Sequence, residues 1–120
     1  GMPGVQTTVP IMLNHVHQGR LSLNRLFQLL VSRPVELFKI RNKGQLKPGF
    51  DADLTLVDLN KEMRITNQWI ESKCGWTPFD NFKVKGWPTM TVVQGRVAMQ
   101  EGQILGDPMG NKISFSDLTI

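Results

Sequence analysis

The chain has 120 residues, of which 40% are hydrophobic and 20% charged, and its 14 Lys and Arg against 10 Asp and Glu give a formal net charge of +4. This is the composition of a folded globular protein, not of a disordered or membrane-embedded one, and the length suits one domain but falls far short of a catalytic barrel of about 250 residues. The basic residues are scattered, aromatics are few and no apolar run approaches the roughly 20 residues of a bilayer span, so neither a nucleic-acid nor a membrane partner is expected.

A single cysteine, Cys74, precludes an internal disulfide and cannot build a thiolate metal site by itself. With no basic-then-apolar leader, the expected compartment is the cytoplasm. Gly1-Met2-Pro3-Gly4 opens as a loop, Gly1 being alternatively a tag remnant ahead of an initiating Met2. Thr7 or Thr8 is placed to cap a helix over about residues 8–18. Pro10 sits in its first turn, Val9, Met12, Leu13 and Val16 recur at helical spacing, and Gly19 stops the run. A second helix begins at Ser22 with the stripe Leu23, Leu26, Phe27, Leu30 and Val31, and Pro34 ends it or restarts it through Phe38.

Lys47-Pro48-Gly49-Phe50-Asp51 has turn chemistry, and a strand with alternating Leu54, Thr55, Leu56 and Val57 follows, closed by a turn at Asp58-Leu59-Asn60. Residues 62–65 predict a short strand and Thr66 a capped helical turn around Trp69 and Ile70. Residues 71–86 predict a long ordered loop pinned by Trp76 and Phe79, with a short strand at 82–84. Gln94-Gly95 between the β-rich runs 89–93 and 96–99 predicts a hairpin, with another turn at Glu101-Gly102 and a short strand after it. Residues 106–120 predict a surface tail anchored by Ile113 and Phe115.

Lys43-Gly44, the run Gly49-Phe50-Asp51-Ala52-Asp53-Leu54-Thr55-Leu56-Val57-Asp58, and Val92-Val93-Gln94-Gly95-Arg96-Val97 together resemble the carboxy-terminal signature of the amidohydrolase superfamily. Gly1 to Thr7, Val9-Pro10-Ile11-Met12-Leu13, Ser72-Lys73 and Trp76-Thr77-Pro78-Phe79 are most similar to its dihydroorotases of the barrel-plus-sandwich type. Hydantoinases and dihydropyrimidinases share the Gly-rich turn and the Asp-Ala-Asp strand. The resemblance implies an α+β chain and an incomplete domain. Residues 1–41 would be closing helices of a (β/α)8 barrel, 42–105 the strands of a small composite β-sandwich, and 106–120 the tail.

It also implies the parent activity, zinc-dependent hydrolysis of the cyclic amide of dihydroorotate in pyrimidine biosynthesis. The family's His-x-His pair, bridging lysine, further histidines and catalytic aspartate have no counterpart in this chain. The expectation is therefore a carboxy-terminal fragment that is inactive alone, with no catalytic residue, no metal ligand and no cofactor of its own, zinc belonging to the complete enzyme. By resemblance Pro3 and Gly4 are a vestigial substrate-binding loop, where a residue without Cβ lets backbone approach the pyrimidine ring.

The remaining chemistry-bearing residues read as structural. His15 and His17 stand two apart on a predicted helix and point about 200° apart, which suits no common ion. Asp51 and Asp53 are turn caps, Lys43 and Lys73 have no acid–base partner, and Cys74 has no paired His. Two rivals stand beside the fragment: a non-catalytic binding or assembly module, and the tail of a hydantoinase or dihydropyrimidinase. The wide apolar helix faces and strand edges predict self-association, and a transcarbamoylase is a further candidate partner.

Overall fold

The computed structural model describes residues 1–117; the last three residues of the expected 106–120 tail lie outside the described residues. Its helical part comprises α1 (Thr8–His17), α2 (Leu23–Phe27) and α3 (Arg33–Leu37), with a π-helical turn over Gln28–Ser32. The strands are β1 (Leu54–Arg64), β2 (Lys83–Val93), β3 (Arg96–Gln100) and β4 (Gln103–Ile104), and a 3-10 turn spans Asn67–Trp69. Among the described residues the strands form a four-stranded sheet in the order β1-β2-β3-β4, with β2 antiparallel to β3 and β3 to β4. The α+β character is as the residue pattern predicts.

By contacts the chain divides into two compact units, Gly1–Leu23 with Val57–Pro88, and Asn24–Leu56 with Thr89 onward. The core of the first unit is Ile65, Val84 and Trp87, with Ile11, Trp69 and Phe79 packed against it. Ile65 is 0% exposed, and the Trp69 and Trp87 rings lie 4.6 Å apart, within the range of attractive tilted aromatic pairs. Leu13 of α1 is also buried, and it dictates the backbone at β2: a Cβ on Gly86 would lie 2.6 Å from Leu13 Cβ, and Gly86 has φ +100°. Only glycine satisfies both conditions without strain. Sequence reasoning placed a break here and separate strands on either side, whereas β2 continues through Gly86, Trp87 and Pro88.

Helix α1 ends as Gly19 predicts. Gly19 N–H reaches Val16 O and Arg20 N–H reaches His15 O, both at 3.0 Å, with Gly19 at φ +71°. Its start differs from expectation. Neither Thr7 nor Thr8 caps forward; both hydroxyls turn back to Gly4 O, at 3.2 and 2.7 Å.

In the second unit the helix restarts at Pro34, the second of the two expected outcomes, as α3 with Phe38 at its C-terminal cap, but the turn before it is not regular. Proline lacks an N–H and its ring crowds the carbonyl four residues back, and the chain answers by widening one turn: Arg33 N–H bonds Gln28 O, five residues earlier. Helix α3 then closes with Ile40 N–H on Val35 O at 2.9 Å and Lys39 in the left-handed region.

Strand β1 also departs from expectation. The predicted turn at Asp58-Leu59-Asn60 is absorbed into one continuous 11-residue strand. The Asp58 carboxylate still makes the turn-type bonds, accepting Asn60 N–H at 2.9 Å and Lys61 N–H at 3.1 Å, but inside the strand.

The predicted hairpin is present: Val93 pairs with Arg96 across Gln94 and Gly95, whose φ of 51° and 77° suit the primed turn that matches strand twist. Trp76 is 43% exposed and does not pin its loop. That role falls to Thr77, buried, whose N–H donates to Asn67 Oδ1 at 2.8 Å, and, as expected, to Phe79, half-buried against the core. The tail is held by backbone, Ser116 N–H to Lys39 O and Arg41 N–H to Ser114 O, both at 2.9 Å, while the Ile113 and Phe115 side chains are exposed.

Candidate functional site

Pro3 and Gly4 lie at the head of α1, half-buried. Gly4 O collects the Thr8 N–H at 3.1 Å as well as the two threonine hydroxyls, so this carbonyl is fully engaged. Two residues on, the Gln6 amide clasps the backbone of the 69–71 segment, donating to Trp69 O at 2.8 Å and accepting Glu71 N–H at 2.9 Å. The loop is thus fixed at both ends of a short span. Gly4 itself has no steric reason to be glycine in this chain: an added Cβ would meet nothing within 4 Å.

The strongest electrostatic cluster lies in the second unit. Lys43 Nζ is 2.8 Å from Asp51 Oδ2 and also bonds Asp53, and the other Asp53 oxygen accepts Gln94 N–H at 2.8 Å. Beside it, Gly95 N–H donates to Ala52 O at 3.0 Å. The hydrogen bonds that Lys43 donates to Asp51 and then to Asp53 raise its ammonium pKa above the ordinary value. The bond from Lys43 and then the Gln94 N–H hold the Asp53 carboxyl below its own. Charges neutralised this way hold a fold together and are ill suited to move protons. The expectation of Asp51 and Asp53 as turn caps and of Lys43 without a partner is corrected here: both carboxylates hold Lys43, and Asp53 caps a hairpin 41 residues away, a long-range pairing that local turn chemistry does not carry.

His15 and His17 both lie in the last turn of α1, and His15 Nδ1 stands 3.5 Å from Arg20 Nη1, a cationic neighbour that disfavours a metal ion. Among the described residues no three His, Cys, Asp or Glu side chains come together as a metal site. The residues present therefore do not fit the zinc that the resemblance implies, and no hydrolytic step is assigned to them. Cys74 is exposed, and the Ser72 hydroxyl 3.2 Å away, followed by the Trp76 backbone, lowers its thiol from the ordinary value; it has no histidine partner. No helix among the described residues is long and apolar enough to cross a membrane.

Comparison with known proteins places these features. Residues 5–98 match the model of the amidohydrolase family. The dihydroorotase of Pyrococcus furiosus is 39% identical over 113 residues, covering 94% of this chain and 27% of that enzyme. The L-hydantoinase of Paenarthrobacter aurescens is 39% identical over 107 residues, 88% of this chain and 23% of its own length. Among solved structures, an L-hydantoinase (dihydropyrimidinase) from Arthrobacter aurescens superposes with a TM-score of 0.84 at 37% identity, over 89% of this chain and 24% of that one. The chain thus spans about a quarter of the length of the relatives it matches. With most of its length inside the family model and its turn-and-hairpin signature tied together by Asp53, this chain belongs to the amidohydrolase family.

Proposed function

We propose that the chain is the carboxy-terminal share of a dihydroorotase-type cyclic amidohydrolase. Helices α1 to α3 are then closing helices of its barrel, β1 to β4 belong to its small composite sandwich, and the hydrolytic centre lies in sequence outside these 120 residues. One observation carries this reading: the match to the Pyrococcus furiosus dihydroorotase takes in 94% of this chain and only 27% of that enzyme, so the likeness is dense but confined to one region. In the complete enzyme the family's metal would activate water and polarise the amide carbonyl. This chain's part is positional. Pro3 and Gly4, locked in place by Gln6 and the two threonines, present backbone to the substrate, and the open space over Gly4 supports that role.

The test is a chimera in which this chain replaces the matching segment of the Pyrococcus furiosus enzyme. Zinc-dependent ring opening of dihydroorotate is expected; a folded chimera without it overturns the reading. The 39% identity to the Paenarthrobacter aurescens L-hydantoinase favours a second reading, the tail of a hydantoinase. The same chimera built on that enzyme, assayed with a hydantoin, separates the two by which partner regains activity. Isolated chains are proposed to self-associate, since Phe27, Leu29, Leu30, Leu37 and Phe38 are exposed in the second unit. The cytoplasmic compartment belongs to the same proposal, supported by a sequence with a single cysteine.

A further inference from the structure

The first unit holds a cleft of about 480 Å³, a volume within the roughly 300–1,000 Å³ of small-molecule sites. It lies where the end of α1 meets the end of β1 and the start of β2. Asn14, His17, Glu62, Arg64, Lys83 and Lys85 contribute to its wall, with Val84 and Met63 as apolar lining. Three permanent cations and one imidazole therefore face one carboxylate.

The framework under these groups is fixed. Val84 is buried, and Asn14 Oδ1 accepts the Lys85 backbone N–H at 3.0 Å, which ties α1 to β2 through two residues of the cleft wall. Ile65 N–H donates to Phe82 O at 2.9 Å and Asn81 N–H to Ile65 O at 2.8 Å, joining the residue after β1 to the residues before β2. Arg64 is held there by Nη1 on Asn81 O at 2.7 Å, and a guanidinium so anchored keeps further N–H donors for a ligand. Lys83 and Lys85, two apart on a strand, project from the same face. Neither forms an ion pair among the described residues, in contrast to Lys43, whose two aspartates neutralise it. A concave surface with unneutralised like charge concentrates counter-ions.

We propose that this cleft binds a small, multiply charged organic anion bearing phosphate or clustered carboxylate groups, with Arg64, Lys83 and Lys85 as its contacts. The proposal does not depend on which cyclic amide the family relationship implies. Nothing in local sequence patterning exposed the site, because its cations come from two strands and its floor from a helix about 70 residues earlier.

Calorimetric titration of the full chain with pyrophosphate, and separately with citrate, in about 50 mM salt tests it. Saturable one-to-one binding is expected for at least one of them, and the stronger arm distinguishes phosphate from carboxylate. The double variant Lys83→Gln with Lys85→Gln, both on the cleft wall, is expected to weaken binding about tenfold or more. The charge-matched variant Lys47→Gln with Lys112→Gln, neither of which lines the cleft, is expected to change it less than about twofold. Circular dichroism confirms that both variants are folded. Absence of saturable binding up to about 10 mM, or equal weakening by the two double variants, overturns the proposal.

Discussion

The Asp53 carboxylate accepts the backbone N–H of Gln94 at 2.8 Å, joining residues 41 positions apart. Through it, the turn before β1 and the tip of the β2–β3 hairpin become one structure, and Lys43 holds the same carboxylate from its other side. Replacing Asp53 with Ala removes both bonds and is expected to destabilise the fold by about 1–2 kcal/mol. Asp53→Asn keeps an acceptor for Gln94 and loses only a partly exposed ion pair, for which less than about 1 kcal/mol is expected. Urea denaturation of the three proteins measures the order; equal effects would mean that the hairpin bond contributes nothing.

The same cluster sets a pH window. Asp53 is held below its ordinary 3.8, so its contribution is present above that value and is lost as pH falls through the lower folded-state value. Lys43 is raised above its ordinary 10.5, so its contribution is complete below that value and is lost as pH rises through the higher one. Stability is expected to fall at both extremes, and Asp53→Asn to flatten part of the acid limb. An unchanged acid limb in the variant would contradict the assignment.

Gly86 and Gly4 make a matched pair. Gly86→Ala drives a Cβ into Leu13 at a backbone φ that favours glycine, and a loss of about 2–4 kcal/mol is expected. Gly4→Ala meets open space and is expected to change stability by less than about 0.5 kcal/mol. In the chimeric dihydroorotase, Gly4→Ala is nonetheless expected to lower turnover, since a methyl group would intrude on the substrate face. Unaltered turnover would remove Gly4 from the site.

Exposed apolar side chains near α3 lead to a fourth expectation. Leu37 is 73% exposed and Phe38 59%. Light scattering at about tens of micromolar is expected to show oligomers that Leu37→Glu with Phe38→Glu dissociates. A strictly monomeric parent chain would count against self-association.

Much of the fold is legible from local signals. Gly19 as a helix stop, Gln94-Gly95 as a hairpin and the strand after Asp53 all depend on residues close in sequence. What local signals miss depends on distant partners. Gly86 and Pro88 look like a strand break until Leu13 is seen to require a glycine beside it. Asp58 looks like a turn because its carboxylate does bond two following N–H groups, yet β1 runs on through it. Trp76 looks like a loop anchor by its size, but buried Thr77 and its bond to Asn67 hold the segment. The substrate-facing role proposed for Pro3 and Gly4 comes from resemblance alone, and the cationic cleft is not legible in the sequence, since α1, β1 and β2 each supply part of its wall.

We propose that this chain carries the scaffold and not the hydrolytic centre of a cyclic amidohydrolase. Its most direct test is ring opening of dihydroorotate by the purified chain in the presence of zinc. No hydrolysis above the uncatalysed rate is expected, with or without the metal. Zinc-dependent turnover by the pure chain would contradict it.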